Sequence, residues 1–326
     1  AISSTQGGFG TGIDNADRFG ASITIIGDLD SDGVKDYAVS AHEDDDGGTN
    51  RGAIYILFMN SNGTVKSKQK LSDTDGNFSY TLNDYDFLGM GLEGIGDLDS
   101  DGNGDLAIGI HQDDDAGTNS GAICIVFLNS NGTVKSYKQI TNGVNGFGNH
   151  LSPQDLFGIS IEAIGDIDAD GNMDIAVGAP QDDDGGGNRG AIYILNLNAD
   201  GTVKNTNKIS SIAGGLGNIL STSDHFGNSL SKYQDIDLDG IPELLVGANS
   251  DDDGGSNKGA VYLLKLNQSG NVTASKKISE STVDSLSLDN DDMFGLNVGT
   301  LPDYDGDGYD DIVVGVGRDD DGGIDR

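Results

Sequence analysis

The segment GDLDSDGVKD that starts at Gly27 returns as GDLDSDGNGD at Gly96, GDIDADGNMD at Gly165, QDIDLDGIPE at Gln234 and PDYDGDGYDD at Pro302. The steps are 69, 69, 69 and 68 residues. Other landmarks keep that register: DDDGG or a close variant begins at Asp44, Asp113, Asp182, Asp251 and Asp319, and GAIYIL-like runs begin at Gly52, Gly121, Gly190 and Gly259. Self-similarity at a fixed period means one supersecondary unit repeated, each copy burying its apolar face on the next. The 326 residues are therefore expected to form one repeat domain, 1–326, although their length alone would suggest two.

Inside each copy the periods are those of strands. FGASITIIGD (19–28) alternates and is β-branched, DYAVSA (36–41) is short and apolar, GAIYILFM (52–59) is a buried run, and TVKSKQKLS (64–72) alternates polar and apolar. We label them A to D. The C to D connection reads NSNG, NSNG, NADG and NQSG. An Asn-Gly or Asp-Gly pair between strands predicts a type I′ hairpin turn. No segment has helical period. Four antiparallel strands with the polar one outermost describe a propeller blade; stacked sandwiches would use similar strands but have no need of an identical loop in every unit. The expected fold is all-β, a β-propeller of about five four-stranded blades. Blade boundaries fall near 10–75, 76–144, 145–213, 214–283 and a partial 284–326.

In the A to B loop, acids occupy positions 1, 3, 5 and 9, namely Asp28, Asp30, Asp32 and Asp36, with Gly33 at position 6. Alternate residues of a tight loop point inward together, and Ca2+ takes six to eight hard oxygens at about 2.3–2.6 Å. The position 7 residue, Val34, is expected to add its carbonyl, and Asp36 to close the site. The pattern recurs with Asp97, Asp99, Asp101, Asn103 and Asp105, and with Asp166, Asp168, Asp170, Asn172 and Asp174. It recurs again with Asp235, Asp237, Asp239, Ile241 and Glu243, and with Asp303, Asp305, Asp307, Tyr309 and Asp311. An EF-hand shares D-x-D-x-D-G but needs flanking helices and closure at position 12. Magnesium, which keeps its waters and a rigid octahedron, fits less well, and an acidic surface hairpin without an ion is the remaining reading.

With these residues in place the chain resembles a known family. FG at 19–20 with GDLDSDG and DYAVSA, FGISIEAIGDIDADGNMDIAVGAP (157–180) and FGNSLSKYQDIDLDGIPELLVGAN (226–249) are similar to FG-GAP repeats, the blades of the integrin α-subunit propeller and of many bacterial extracellular proteins. The resemblance covers the whole chain. It implies a β-propeller with calcium in the A to B hairpins, usually extracellular and often adhesive. Two departures stand out: integrin propellers have seven blades against five A–B units here, and His42 and His111 stand where the third copy has Pro180.

Charge bounds the partners. Fifty-four acids against 18 bases give a formal charge of −36, which repels nucleic acid and favours a bound cation. No apolar stretch approaches the ~20 residues of a membrane helix, so no membrane insertion is expected. The single Cys124, at the place of Tyr55 and Tyr193, is expected to be a buried structural thiol.

The DDDGG loops join B to C and therefore lie at the blade end opposite the A–B hairpins. Three adjacent carboxylates repel, so they need partners. Three readings stay open: a further cation shared with the connector acids Asp17, Asp86, Asp155, Asp224 and Asp292; ion pairs with the downstream Arg51, Arg189, Lys258 and Arg326, a set broken at Ser120; or a solvated rim.

Residues 1–9 match the end of strand D and its connector, so they are expected to close the last blade, which stops before its strand C. Without closure, that edge is expected to accept a strand of another copy and to build a homo-oligomer or polymer. His42, His111, His150 and His225 have no metal-ligand spacing and are expected to be exposed loop residues. No nucleophile motif is present, so an enzyme is not expected. The expected function is a non-enzymatic, calcium-stabilised extracellular or cell-surface propeller, adhesive towards a protein or glycan or self-assembling into a layer or filament. A glycan-binding or glycan-processing propeller is the alternative. Asn62, Asn77, Asn131, Asn267 and Asn271 head glycosylation sequons where the source has that machinery.

Overall fold

The computed structural model describes residues 1–319, all β with no helix. The first sheet holds β1 (Phe19–Gly27), β2 (Asp36–Ala41), β3 (Ala53–Met59) and β4 (Val65–Leu71), hydrogen-bonded in that order. The second holds β5 (Leu92–Gly96), β6 (Asp105–Ile110), β7 (Ala122–Leu128) and β8 (Val134–Ile140). The third holds β9 (Ile161–Gly165), β10 (Asp174–Ala179), β11 (Ala191–Leu197) and β12 (Val203–Ile209). The fourth holds β13 (Phe226–Lys232), β14 (Leu244–Ala248), β15 (Ala260–Leu266) and β16 (Val272–Ile278). A two-stranded sheet of β17 (Phe294–Leu301) and β18 (Asp311–Val316) follows. These are blades of the β-propeller class, with strands A to D where the alternation placed them.

The chain divides into two compact units, Ala1–Pro153 with Leu197–Val203, and Gln154–Asn196 with the residues from Lys204 onward. In the first, Ile54, Ile56 and Phe58 of β3 share one core with Leu106 and Ile108 of β6 and Cys124 and Val126 of β7. In the second, Ile192 and Ile194 of β11 share a core with Leu230, Val246, Tyr262 and Leu264.

The FG motif has a steric reason. Phe226 bridges in parallel to Gly190, and Phe294 to Gly259, so these two A strands, β13 and β17, start against the residue that leads into strand C of the preceding blade. A Cβ on Gly227 would lie 2.6 Å from the Ala191 carbonyl oxygen, at a φ of +94°. Only glycine tolerates both the approach and the dihedral. The phenylalanine turns inward instead, edge-on to the strand C tyrosine of its own blade, as in Phe226–Tyr262 at 5.5 Å.

The C to D turns differ from the expected type I′. Gly63 has φ +77° but Asn62 does not have positive φ. Gly63 N–H donates to the Asn60 carbonyl at 2.9 Å and Asn60 N–H to Thr64 at 2.8 Å, the pattern of a type I turn closed by a glycine bulge. The Asn62 carboxamide selects it, accepting from Thr64 N (3.0 Å) and Thr64 Oγ1 (2.7 Å). Asp200 makes the same pair of bonds with Thr202, so this Asn-Gly-Thr sequence has a turn-forming role of its own.

Residues 1–9 contain no named strand: Ser3 and Gln6 form a turn, Gly7 accepts a hydrogen bond from Val65 N, and Phe9 packs on Phe19 and Tyr55. The repeat-equivalent Gly76 accepts from Val134 N in the next blade.

Candidate metal centres

Each A–B loop folds around its first carboxylate. Asp28 Oδ1 accepts from Asp32 N at 3.0 Å and Oδ2 from Gly33 N at 2.8 Å, which curls the loop. Ser31 at position 4 and Gly33 at position 6 take φ of +58° and +89°, and the other loops repeat this; in the fifth both positions are glycine, Gly306 and Gly308. The position 7 residues Val34, Asn103, Asn172, Ile241 and Tyr309 donate N–H to the position 5 acid, each at 2.9 Å.

This folding gathers carboxylate oxygens within 4.8 Å of one another in all five loops: Asp28, Asp30 and Asp32; Asp97, Asp99 and Asp101; Asp166, Asp168 and Asp174; Asp235, Asp237 and Asp239; Asp303, Asp305 and Asp307. The position 9 acid, expected to close the site, joins the cluster only in the third loop. In every loop its carboxylate is held by an amide: Asp36, fully buried, accepts from Leu29 N and from Met59 N on β3, each at 2.9 Å, Asp105 repeats this with Leu98 and Leu128, and Asp174 accepts from Ile167 N at 3.0 Å. Glu243 and Asp311 accept from Ile236 N and Tyr304 N. Burial pushes the Asp36 carboxyl up and that of Asp105 up to about 7. The fourth acid thus ties the loop to the strand ends.

Two features bear on a cation. Asp30 Oδ1 and Asp168 Oδ1 are buried without a hydrogen-bond partner. On the other flank, Lys66 of β4 reaches across the blade end to Asp30 and Asp32 at 2.7 and 2.6 Å, and Lys135 and Lys204 do likewise to Asp99 with Asp101 and Asp168 with Asp170. These carboxylates hold the Lys66 ammonium well above its ordinary range, and the Lys66 hydrogen bond, with that from Val34 N, lowers the Asp32 carboxyl. In the fourth blade Thr273 takes the lysine position, and Lys265 approaches Asp237 from strand C at 3.1 Å. The donor set is all hard oxygen, with no histidine or cysteine in any cluster, which fits a calcium-type ion.

At the opposite blade ends the DDDGG triplets find internal partners. Asp44 is buried and accepts from Tyr55 Oη at 3.3 Å and from Lys70 of β4 at 2.8 Å. Asp45 braces the loop by accepting from Asn50 N at 2.8 Å, and Asp46 accepts from Lys70 and from Ser72 Oγ. Lys208 and Lys277 repeat the pairing with Asp182, Asp184, Asp251 and Asp253. In the first, third and fourth blades the counter-charge is therefore a strand D lysine. Arg51 pairs instead with Asp73 and Asp84, Lys258 with Glu280, and Arg189 bonds Asn218 and Ser211. The triplets are not among the acidic clusters of metal-site geometry in the described residues. The last triplet, beyond Asp319, and Arg326 lie outside those residues.

The connector acids Asp17, Asp86, Asp224 and Asp292 are buried and each accepts from the N–H three residues earlier, at 2.6–2.7 Å. Burial, with Asp113 to Asp115 nearby, pushes the Asp86 carboxyl up to about 7. The histidines depart from expectation: His42 and His111 are buried against Phe87, with ring centroids at 6.2 and 5.7 Å, and burial drives His111 down to about 4. Only His150 is an exposed residue. Cys124 is fully buried, as expected, and burial raises its thiol well out of the reactive range.

Comparison with known proteins agrees with this geometry. The FG-GAP repeat model matches residues 157–195 and 226–264. Integrin alpha-3 of Cricetulus griseus is 32% identical over 200 residues, covering 61% of this chain and 17% of that protein. Integrin alpha-6 of Homo sapiens is 34% identical over 155 residues (48% and 12%), and integrin alpha-5 of Xenopus laevis 29% over 237 residues (71% and 20%). The chain thus matches no more than a fifth of the length of these relatives. No helix among the described residues is long and apolar enough to cross a membrane. Repeated FG-GAP blades and integrin α relatives make this chain similar to the FG-GAP, integrin α-like β-propellers.

Proposed function

We propose that the chain is a non-enzymatic extracellular adhesion propeller stabilised by Ca2+, one ion in each of its five A–B loops. The observation that carries this reading is the gathering of three carboxylates in every loop, with the buried Asp30 Oδ1 and Asp168 Oδ1 left without partners. In the first loop Asp28, Asp30, Asp32 and the Val34 carbonyl would hold the ion, and Asp36 would anchor that set to β3. When bound, the ion supplies the positive charge that offsets repulsion among the loop acids. Gly33 and Ser31 set the turn, and the Asp28 carboxylate orders the backbone before any ion arrives.

A ligand that binds the folded loops and not the unfolded chain stabilises by mass action. Thermal melting in millimolar Ca2+ against chelator tests this. A melting temperature raised markedly by Ca2+, and less by Mg2+, is the expected result; coincident curves would reject the role given to the loops. The adhesive partner would be an extracellular protein or glycan. A second reading, self-association through blade edges, is favoured by the exposed Ile23 and Ile25 of β1 (63% and 47% exposed). Light scattering that gives a single monomer mass with and without Ca2+ would exclude it.

A further inference from the structure

We infer that the third blade carries a binding site for a neutral saccharide, in a polar cleft that the first blade lacks for want of room. The cleft has a volume of about 520 Å³ and is lined by Asn196, Asn205, Asn207, Gln268, Ser269 and Asn271, with Asp168 of the A–B loop at its side.

Its origin is a set of substitutions between repeats. Asn196 of β11 stands where β3 has Phe58 and β7 has Phe127. In the first blade the Phe58 ring fills the space under the next hairpin, and a Cβ on Gly132 would meet Phe58 and Gln69 at 3.2 and 3.1 Å. In the third blade the atoms nearest a Cβ on the equivalent Gly270 all belong to Ile194, with no ring among them. In the first blade Phe58 pairs with Ser67 and Ile56 with Gln69; the repeat-equivalent residues on the neighbouring strands β11 and β12 are Asn196 with Asn205 and Ile194 with Asn207. The hairpin that covers them is rebuilt too: Asn267 accepts from Ser269 N and Asn271 N, each at 3.0 Å, in place of the Asn-Gly-Thr turn.

The residues are polar beyond what the fold requires. Asn196 is 6% exposed, yet its Nδ2 has no hydrogen-bond partner, and a buried amide without one is costly. Asn207 is already engaged, donating to the Gly270 carbonyl at 2.6 Å. The orphaned Asn196 group is a donor, so the occupant must offer an acceptor oxygen. Thr206 Oγ1, in the lining and also buried without a partner, accepts or donates. A hydroxyl is both. The volume is within the usual range of small-molecule sites, but the lining is too polar for an apolar ligand. With no lysine or arginine in the lining and a chain charge of −36, anions are disfavoured. A neutral polyhydroxyl ligand such as a hexose unit meets all of these conditions. The argument does not depend on what the A–B loops bind.

The test is a titration of the full, ¹⁵N-labelled protein at fixed millimolar Ca2+ with glucose, galactose, mannose, N-acetylglucosamine and short oligosaccharides of each, read at the side-chain amides of Asn196 and Asn205. At least one sugar is expected to shift both, with saturation. Asn196→Phe, which restores the residue of the sister blades, is expected to weaken that sugar at least ten-fold without lowering the melting temperature. Asn205→Ser, also a sister residue and exposed on strand D, is expected to weaken it several-fold and guards against a folding defect in the first variant. No shift with any sugar, equal affinity in both variants, or tighter binding of sialic acid or inorganic phosphate would overturn the inference and leave a cleft filled by water.

Discussion

Tyr80 donates a hydrogen bond to Asp113, performing from a connector the task that strand C tyrosines perform in the other four-stranded blades. There the bonds run from Tyr55 to Asp44, Tyr193 to Asp182 (3.0 Å) and Tyr262 to Asp251 (2.9 Å). The second blade has Cys124 in place of that tyrosine, Leu88 in place of the FG phenylalanine and Gln139 in place of the strand D lysine. Tyr80 and Gln139 answer all three losses: the Tyr80 ring packs with Phe78 and Tyr137, and Gln139 bonds both Tyr80 Oη (2.7 Å) and Asp115 (3.0 Å).

Tyr80→Phe should therefore destabilise the protein by about 1–3 kcal/mol, the usual cost of stripping a buried carboxylate of its donor. Tyr262→Phe should cost less, because Asp251 keeps Lys277 at 2.7 Å. Urea unfolding of the two variants checks the order; equal losses would show that Asp113 has found another donor.

The FG and A–B glycines should fail for different reasons. A Cβ on Gly33 meets nothing within 4 Å, so Gly33→Ala should cost only the left-handed dihedral, about 1–2 kcal/mol. Gly227→Ala adds a clash with backbone at 2.6 Å and should cost more. Melting temperatures in Ca2+ would rank them.

Buried Asp86 gives a pH dependence of defined sign. Its folded carboxyl titrates near 7, above the unfolded value of 3.8, so its contribution to stability is fully present below about pH 4 and is lost as pH rises through 7. Asp86→Asn keeps an oxygen to accept from Asn83 N and removes the charge. In chelator, the variant should be more stable than the parent at pH 8, by a margin that narrows as pH falls and closes near pH 4. A difference that does not vary with pH would contradict the raised value.

Lys66, Lys135 and Lys204 occupy the carboxylates that an ion would use, so they compete with it. Replacing any one with Met should tighten Ca2+ binding at its own loop by about two- to five-fold, a modest factor because these lysines are partly exposed and the pair is screened. Calorimetry on the single variants checks this. Weaker binding would mean that the lysine organises the loop.

Strand positions and the A–B loops were legible because period 2 and the D-x-D-x-D-G spacing are local signals. Asp28, Asp30 and Asp32 come together as their spacing in ten consecutive residues suggests, whereas Asp36 turns to the amides of Leu29 and Met59. What could not be read depends on neighbouring strands. Lys70 meets Asp44 from strand D, 26 positions away, whereas Arg51 is near in sequence and points to Asp73 and Asp84. The burial of His42 and His111 depends on Phe87, from a connector that nothing in their own segments announces. The substitution of Asn196 for phenylalanine was visible, but its meaning required the facing hairpin.

The central claim is that each A–B loop holds one Ca2+. Equilibrium dialysis followed by elemental analysis of calcium per chain tests it most directly. The account predicts about five ions, falling by one with each paired substitution such as Asp28→Asn with Asp30→Asn, in keeping with five carboxylate clusters. A count near zero, or a count unchanged by emptying a loop in this way, would contradict it.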